Sequence, residues 1–171
     1  CGSAVGQDAD KAITDLAQAI NATLTPSQTT KVVLMVMPGR GTEIGATFEQ
    51  MQAILQQVTL ADHVAVGLDT CALWSAGYDI VHDLDGVLDS FDKIIGLDRV
   101  AMVHLNDSEY DLGAHEGRHA AIGSGKIGFD ALAAVMNHPK LAKLPFIIEE
   151  PHGTLAEYKK DIADFRAAYT A

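Results

Sequence analysis

Four runs of this chain are apolar almost from end to end, and each hands over to a segment whose apolar residues recur at helical spacing. The runs are residues 31–37 (KVVLMVM), 62–69 (DHVAVGLD), 99–105 (RVAMVHL) and 145–150 (PFIIEE). Stripes such as Phe48, Met51, Ile54, Leu55 and Val58, or Leu84, Val87, Leu88, Phe91 and Ile95, fill the intervals. A strand that is apolar throughout, rather than at every second place, is buried on both faces. Such strands, each followed by a helix, form a parallel sheet with helices packed on it. The spacing also predicts a helix over 8–23, another over 129–136 that Pro139 soon stops, and a last one striped by Leu155, Tyr158, Ile162, Phe165 and Tyr169. The fold class is α/β, and with no linker in sight residues 1–171 read as one domain.

A chain of 171 residues, 48% hydrophobic, can bury a substantial core. Its net charge of −11 argues against a broad basic face for a polyanion, although bound divalent cations reverse such a field locally. No apolar run reaches the roughly 18 residues of a transmembrane span. Two cysteines, Cys1 and Cys71, are too few for a disulfide framework and fit a reducing, cytoplasmic setting.

Asp69, His104 and Glu149 each close a strand at its carboxyl end, where parallel α/β folds carry their sites. A single polar residue there does no more than cap a loop. Three of three, all of metal-ligating type and on neighbouring strands, can converge on one divalent ion such as Zn²⁺ or Mn²⁺. Residues 31–37 are the exception, because Met35, Val36 and Met37 offer no acid, base or nucleophile. Glu150 follows Glu149, and strand alternation turns the two to opposite faces, so only one serves the site. Glu149 is the choice.

The segments GLDTCALWSAGYD (67–79), MVHLNDS (102–108), GRHAAIGSGKIGFDAL (117–132) and FIIEEPH (146–152) resemble the carboxyl-terminal part of endonuclease IV. That family comprises TIM-barrel apurinic/apyrimidinic endonucleases with a trinuclear zinc site. The opening CGSAVGQ resembles the family's His-Pro-Gly-Ser-His-Val-Gly turn, entered part-way. A TIM barrel needs about 250 residues, so the resemblance implies a partial barrel of roughly five βα units. It also exposes losses. Met35 stands where the family has a zinc-bridging Glu, Ala4 and Ala72 where it has zinc-binding His, and Gly117 where it has a zinc-binding Asp. The ligands that survive by resemblance are Asp69, His104, His119 and Glu149. Losses spread over four motifs, inside an otherwise preserved scaffold, read as a repair-nuclease site emptied by engineering rather than a degenerate natural paralogue. The resemblance implies zinc, at most one ion, and DNA as the inherited partner.

Three function classes follow. The inherited one is metal-dependent phosphodiester hydrolysis at abasic sites, expected to fall to near background without the bridging carboxylate. The second is an emptied, apolar pocket that binds a small molecule, with Glu149 or Glu150 as a general base raised by burial. The third is a non-catalytic scaffold. Arg40 and Lys126, in glycine-flanked loops, are candidate phosphate contacts, and Trp74 is a candidate pocket wall. Cys71 reads as buried filler, His115 as a surface residue near the mouth, and His63, His82 and His138 as solvated. Apolar parallel strands want both neighbours, so self-association or a complementing segment is expected.

Overall fold

The computed structural model describes residues 1–149, 151 and 154–170. In chain order its elements are β1 (Gly2–Ser3), α1 (Ala9–Thr23), β2 (Val32–Met35), β3 (Glu43–Ile44), α2 (Phe48–Leu55), β4 (Val64–Asp69), α3 (Thr70–Ser75), α4 (Leu84–Ile94), β5 (Val100–His104), β6 (Asp107–Ser108), β7 (His119–Ala120), α5 (Phe129–Asn137), β8 (Phe146–Ile147) and α6 (Leu155–Ala168), with short 3-10 turns at Ala61–His63 and Leu97–Arg99. The main sheet has four strands in the order β2-β4-β5-β8, every pair parallel. Two small antiparallel pairs, β1 with β3 and β6 with β7, lie among the loops.

The alternating pattern expected from the apolar runs is what forms. β4 is buried at all six residues, and α4 turns Val87, Leu88 and Phe91 into the core. There Phe48 stacks on Tyr78 with centroids 4.0 Å apart and meets Phe91 edge-on at 5.1 Å. The outer strands are shorter than their apolar runs. Among the described residues of its run, β8 keeps only Phe146 and Ile147, because at the sheet edge it pairs with β5 alone. Residues 70–75 form a helix, α3, directly after β4, where no helical stripe announces one. Val32 and Ile147, on the two edge strands, remain 37% and 39% exposed. Among the described residues no helix is long and apolar enough to cross a membrane.

Candidate metal centre

Register brings the strand-end residues together. Asp69 pairs with His104 across β4 and β5, and His104 pairs with Ile147 of β8. Glu149 lies two residues beyond that pairing, so all three side chains emerge at the same end of the sheet. His104 Nδ1 is 2.8 Å from Glu149 Oε2 and 3.7 Å from Asp69 Oδ2. His119, brought in by β7, places Nε2 at 3.8 Å from Asp69 Oδ2. The four candidate ligands therefore meet around the Asp69 carboxylate.

Local chemistry explains why Asp69 sits still. It ends a buried strand and caps α3, Oδ1 accepting from the Ala72 amide at 2.9 Å. Its other oxygen accepts from Asn106 Nδ2 at 2.6 Å. Burial pushes the Asp69 carboxyl above the ordinary carboxylate range, while the Ala72 amide, His119, Asn106 and His104 pull it back. The sheet ends are tied together by Thr70, whose hydroxyl donates to the Asn106 carbonyl at 2.7 Å and accepts from its amide at 2.8 Å.

A cavity of about 280 Å³ opens over these groups, lined by Asp69, His104, His119 and Glu149 together with the apolar Met35, Val36, Pro38 and Ala72. Met35 and Ala72, read as lost ligands, form the apolar wall. The Glu149 side chain keeps 53% of its surface exposed, and the buried carboxylate of the site is Asp69. Glu150, the other candidate base, lies outside the described residues.

Among the described residues two sets of three donors come close enough for one ion: Asp69 with His104 and Glu149, and Asp69 with Cys71 and His119, each within 4.8 Å of one another. The first set fits a borderline divalent cation such as Zn²⁺, being two carboxylates and an imidazole with room for water. The second costs more, because burial pushes the Cys71 thiol up to about 12, and a thiol binds metal as thiolate. Asp69 belongs to both.

The candidate substrate residues stay away from this cavity. Trp74 is 6% exposed and donates its indole N–H to the Tyr110 carbonyl at 3.0 Å, so it holds down the loop after β6 as part of the core. Arg40 lies 3.6 Å from Glu116, and Lys126 lies 3.1 Å from Asp111. Each cation faces a nearby acid rather than an open phosphate site. His138 is not solvated: its side chain is 13% exposed and its Nε2 is 3.0 Å from Asp85 Oδ1. His115 does reach the mouth, Nδ1 lying 3.1 Å from the Pro38 carbonyl.

Two buried polar residues escaped sequence reasoning. Asn106 and Asp107 have no exposed surface. The Asp107 carboxylate accepts amides from Ser108, Gly123, Gly125, Ile127 and Gly128 at 2.8–3.2 Å. The glycine density of residues 123–128 was the available signal, since only bare backbone can crowd five N–H groups onto one carboxylate. A β-carbon on Gly125 would collide with Asp107 itself.

Comparison with known proteins agrees with this geometry. The profile of a family described as xylose isomerase-like TIM barrel matches residues 1–168. A "Probable endonuclease 4" of Methanosphaera stadtmanae is 45% identical over 168 residues, and one of Clostridium botulinum is 48% identical; each alignment takes in 98% of this chain. The crystal structure of endonuclease IV from Thermus thermophilus superposes with a TM-score of 0.80 at 33% identity, covering 95% of this chain and 58% of that one. This chain spans 60% of the length of those curated relatives, so the four-stranded arc is part of a barrel.

Proposed function

The chain belongs to the xylose isomerase-like TIM barrel family, and on that premise we propose that its strand-end site is an endonuclease IV-type centre reduced to one divalent-cation position. Asp69, His104 and Glu149 are its ligands, zinc its best-fitting ion, and DNA its inherited partner. The observation that carries this is the 2.8 Å approach of His104 Nδ1 to Glu149 Oε2, beside the buried Asp69. Three donors so placed suit a metal completed by water.

A cation held there by Asp69, His104 and Glu149 would lower the pKa of a bound water and offset charge on a phosphate oxygen. The chain supplies the rest. Glu149, half in solvent, is the group that can take a proton from an approaching water. Before a cation binds, His104 Nδ1 holds Glu149 in place at 2.8 Å, and Asp69 anchors the pair from the core. Facing them, Met35 and Ala72 provide no ligand for a second or third ion, and it is a set of neighbouring ions that clamps both attacking and leaving oxygens in multi-metal hydrolysis. Cleavage of an abasic-site duplex is therefore near background. Elemental analysis of the protein, together with a cleavage assay on that duplex, tests this reading. At most one ion per chain and background cleavage are expected. Two or more tightly held zincs, or efficient cleavage, overturn it.

A second reading is favoured by one observation, the apolar Met35, Val36 and Pro38 lining the same cavity as the His104–Glu149 pair. In that reading a small organic ligand occupies the cavity and Glu149 accepts its proton. A thermal-shift screen of small aromatic acids tests it, Glu149→Gln abolishing any true hit.

A further inference from the structure

Asn106 has no exposed surface, yet its side chain touches three of the four candidate ligands. Nδ2 donates to Asp69 Oδ2 at 2.6 Å and lies 3.3 Å from His119 Nε2. Oδ1 accepts the Glu149 backbone amide at 2.8 Å. The amide can face only this way round: a carboxylate accepts and cannot donate, and a backbone N–H donates and cannot accept. The far side of the same residue is held too, because the Glu149 carbonyl lies 2.6 Å from His119 Nδ1. A carbonyl accepts only, so His119 carries its proton on Nδ1 and turns the Nε2 lone pair toward Asn106 and Asp69.

The result is a closed ring. Asn106 grips Asp69, His119 and the N–H of Glu149, while His119 grips the C=O of Glu149. The ring matters because β8 ends at Ile147, so no sheet hydrogen bond within the described residues holds Glu149 where His104 needs it.

We infer that Asn106 is the positioning residue of this centre: it holds Asp69 and the Glu149 backbone, whose carbonyl selects the His119 tautomer, and sets a donor against Nε2. The inference rests on the cation-site reading, and its test separates the two. Metal-free protein at about pH 8, where an ordinary imidazole is neutral, is examined by long-range ¹⁵N–¹H spectra of its histidines. Co²⁺ titration by visible absorption follows on the same samples.

In the unaltered protein His119 shows a protonated Nδ1 and a bare Nε2. Asn106→Ala releases it toward the mixed form of a free imidazole and weakens Co²⁺ about 10–100-fold, the usual cost of losing a residue that orients ligands. Asn106→Asp keeps the shape but sets an acceptor against Nε2, so the pattern of a proton on Nδ1 alone is lost; this variant serves should the alanine variant fail to fold. Thr70→Val is the control. It removes the hydroxyl that holds the Asn106 backbone but leaves the side-chain ring, so it lowers the melting temperature while the His119 tautomer stays. An unchanged tautomer in both Asn106 variants overturns the inference, as does a Thr70→Val variant that shifts it equally. Protein that binds no Co²⁺ while the tautomer moves as stated overturns the cation-site reading and leaves the positioning role standing.

Discussion

Gly117 lies hard against Pro38: a β-carbon on Gly117 would sit 2.5 Å from Pro38 Cγ and 2.7 Å from its Cβ. The backbone there is left-handed, at φ 61°, a conformation that also disfavours a side chain. Pro38 fills the space that a side chain at 117, where the resemblance implies an Asp, would need. Restoring it with Gly117→Asp therefore costs about 1–3 kcal/mol of stability and leaves Co²⁺ affinity no higher. Urea melts and a metal titration check both halves. A variant as stable as its parent and binding Co²⁺ more tightly contradicts the steric argument.

Met35 is the better place to rebuild. Its side chain lines the cavity opposite Asp69 and leans on Gly67, whose lack of a β-carbon makes the room. Met35→Glu should raise divalent-cation affinity at least about tenfold, a carboxylate being added to a three-donor set. Without metal it should destabilise by about 1–3 kcal/mol, since a second acid is buried near Asp69. Calorimetric titration with Zn²⁺ decides it, and unchanged affinity would place Met35 outside the ligand shell.

The direction of the Asp69 shift fixes a pH dependence. Its carboxyl is raised by burial, so in the folded chain it keeps its proton to higher pH than in the unfolded one. Metal-free stability on this account falls as pH climbs from the ordinary carboxylate value through the raised one. Cation affinity rises through the same window, because proton and metal compete for one oxygen pair. Stability and Zn²⁺ affinity measured on one pH series should move in opposite directions. A parallel rise of both would show that another group dominates.

Asp107 predicts a loop-specific loss. Asp107→Asn replaces one acceptor oxygen by a donor facing two backbone N–H groups, which should cost about 2–4 kcal/mol. Hydrogen exchange of the Gly123, Gly125, Ile127 and Gly128 amides should accelerate. Full protection of those amides in the variant would mean the loop is held by something else.

Val32 and Ile147, partly exposed on the open edges of the sheet, lead us to expect self-association at micromolar concentration. Beside β8 the exposed edge adjoins a 510 Å³ apolar hollow walled by Phe146, Ile162 and Phe165. Ile147→Lys should shift the equilibrium toward monomer, as charges on edge strands do. Light scattering after gel filtration measures it, and a clean unaltered monomer that binds no hydrophobic dye refutes the expectation.

The sequence by itself determined the parallel βα order, the burial of β4 and α4, and the convergence of Asp69, His104 and Glu149 at one end of the sheet. These follow from local periodicity, because an apolar run must bury itself and a parallel sheet puts every strand's carboxyl end on one side. The six-residue helix α3, the short β8 and the burial of Trp74 and His138 were decided only by neighbours distant in the chain. So were the ring closed by Asn106, the five amides on Asp107 and the contact of Pro38 with Gly117. Periodicity reports whether a residue faces the core. Which buried polar atom meets which, and which missing side chain leaves room or loses it, is set by contacts between segments far apart in the chain, and only the folded chain makes them.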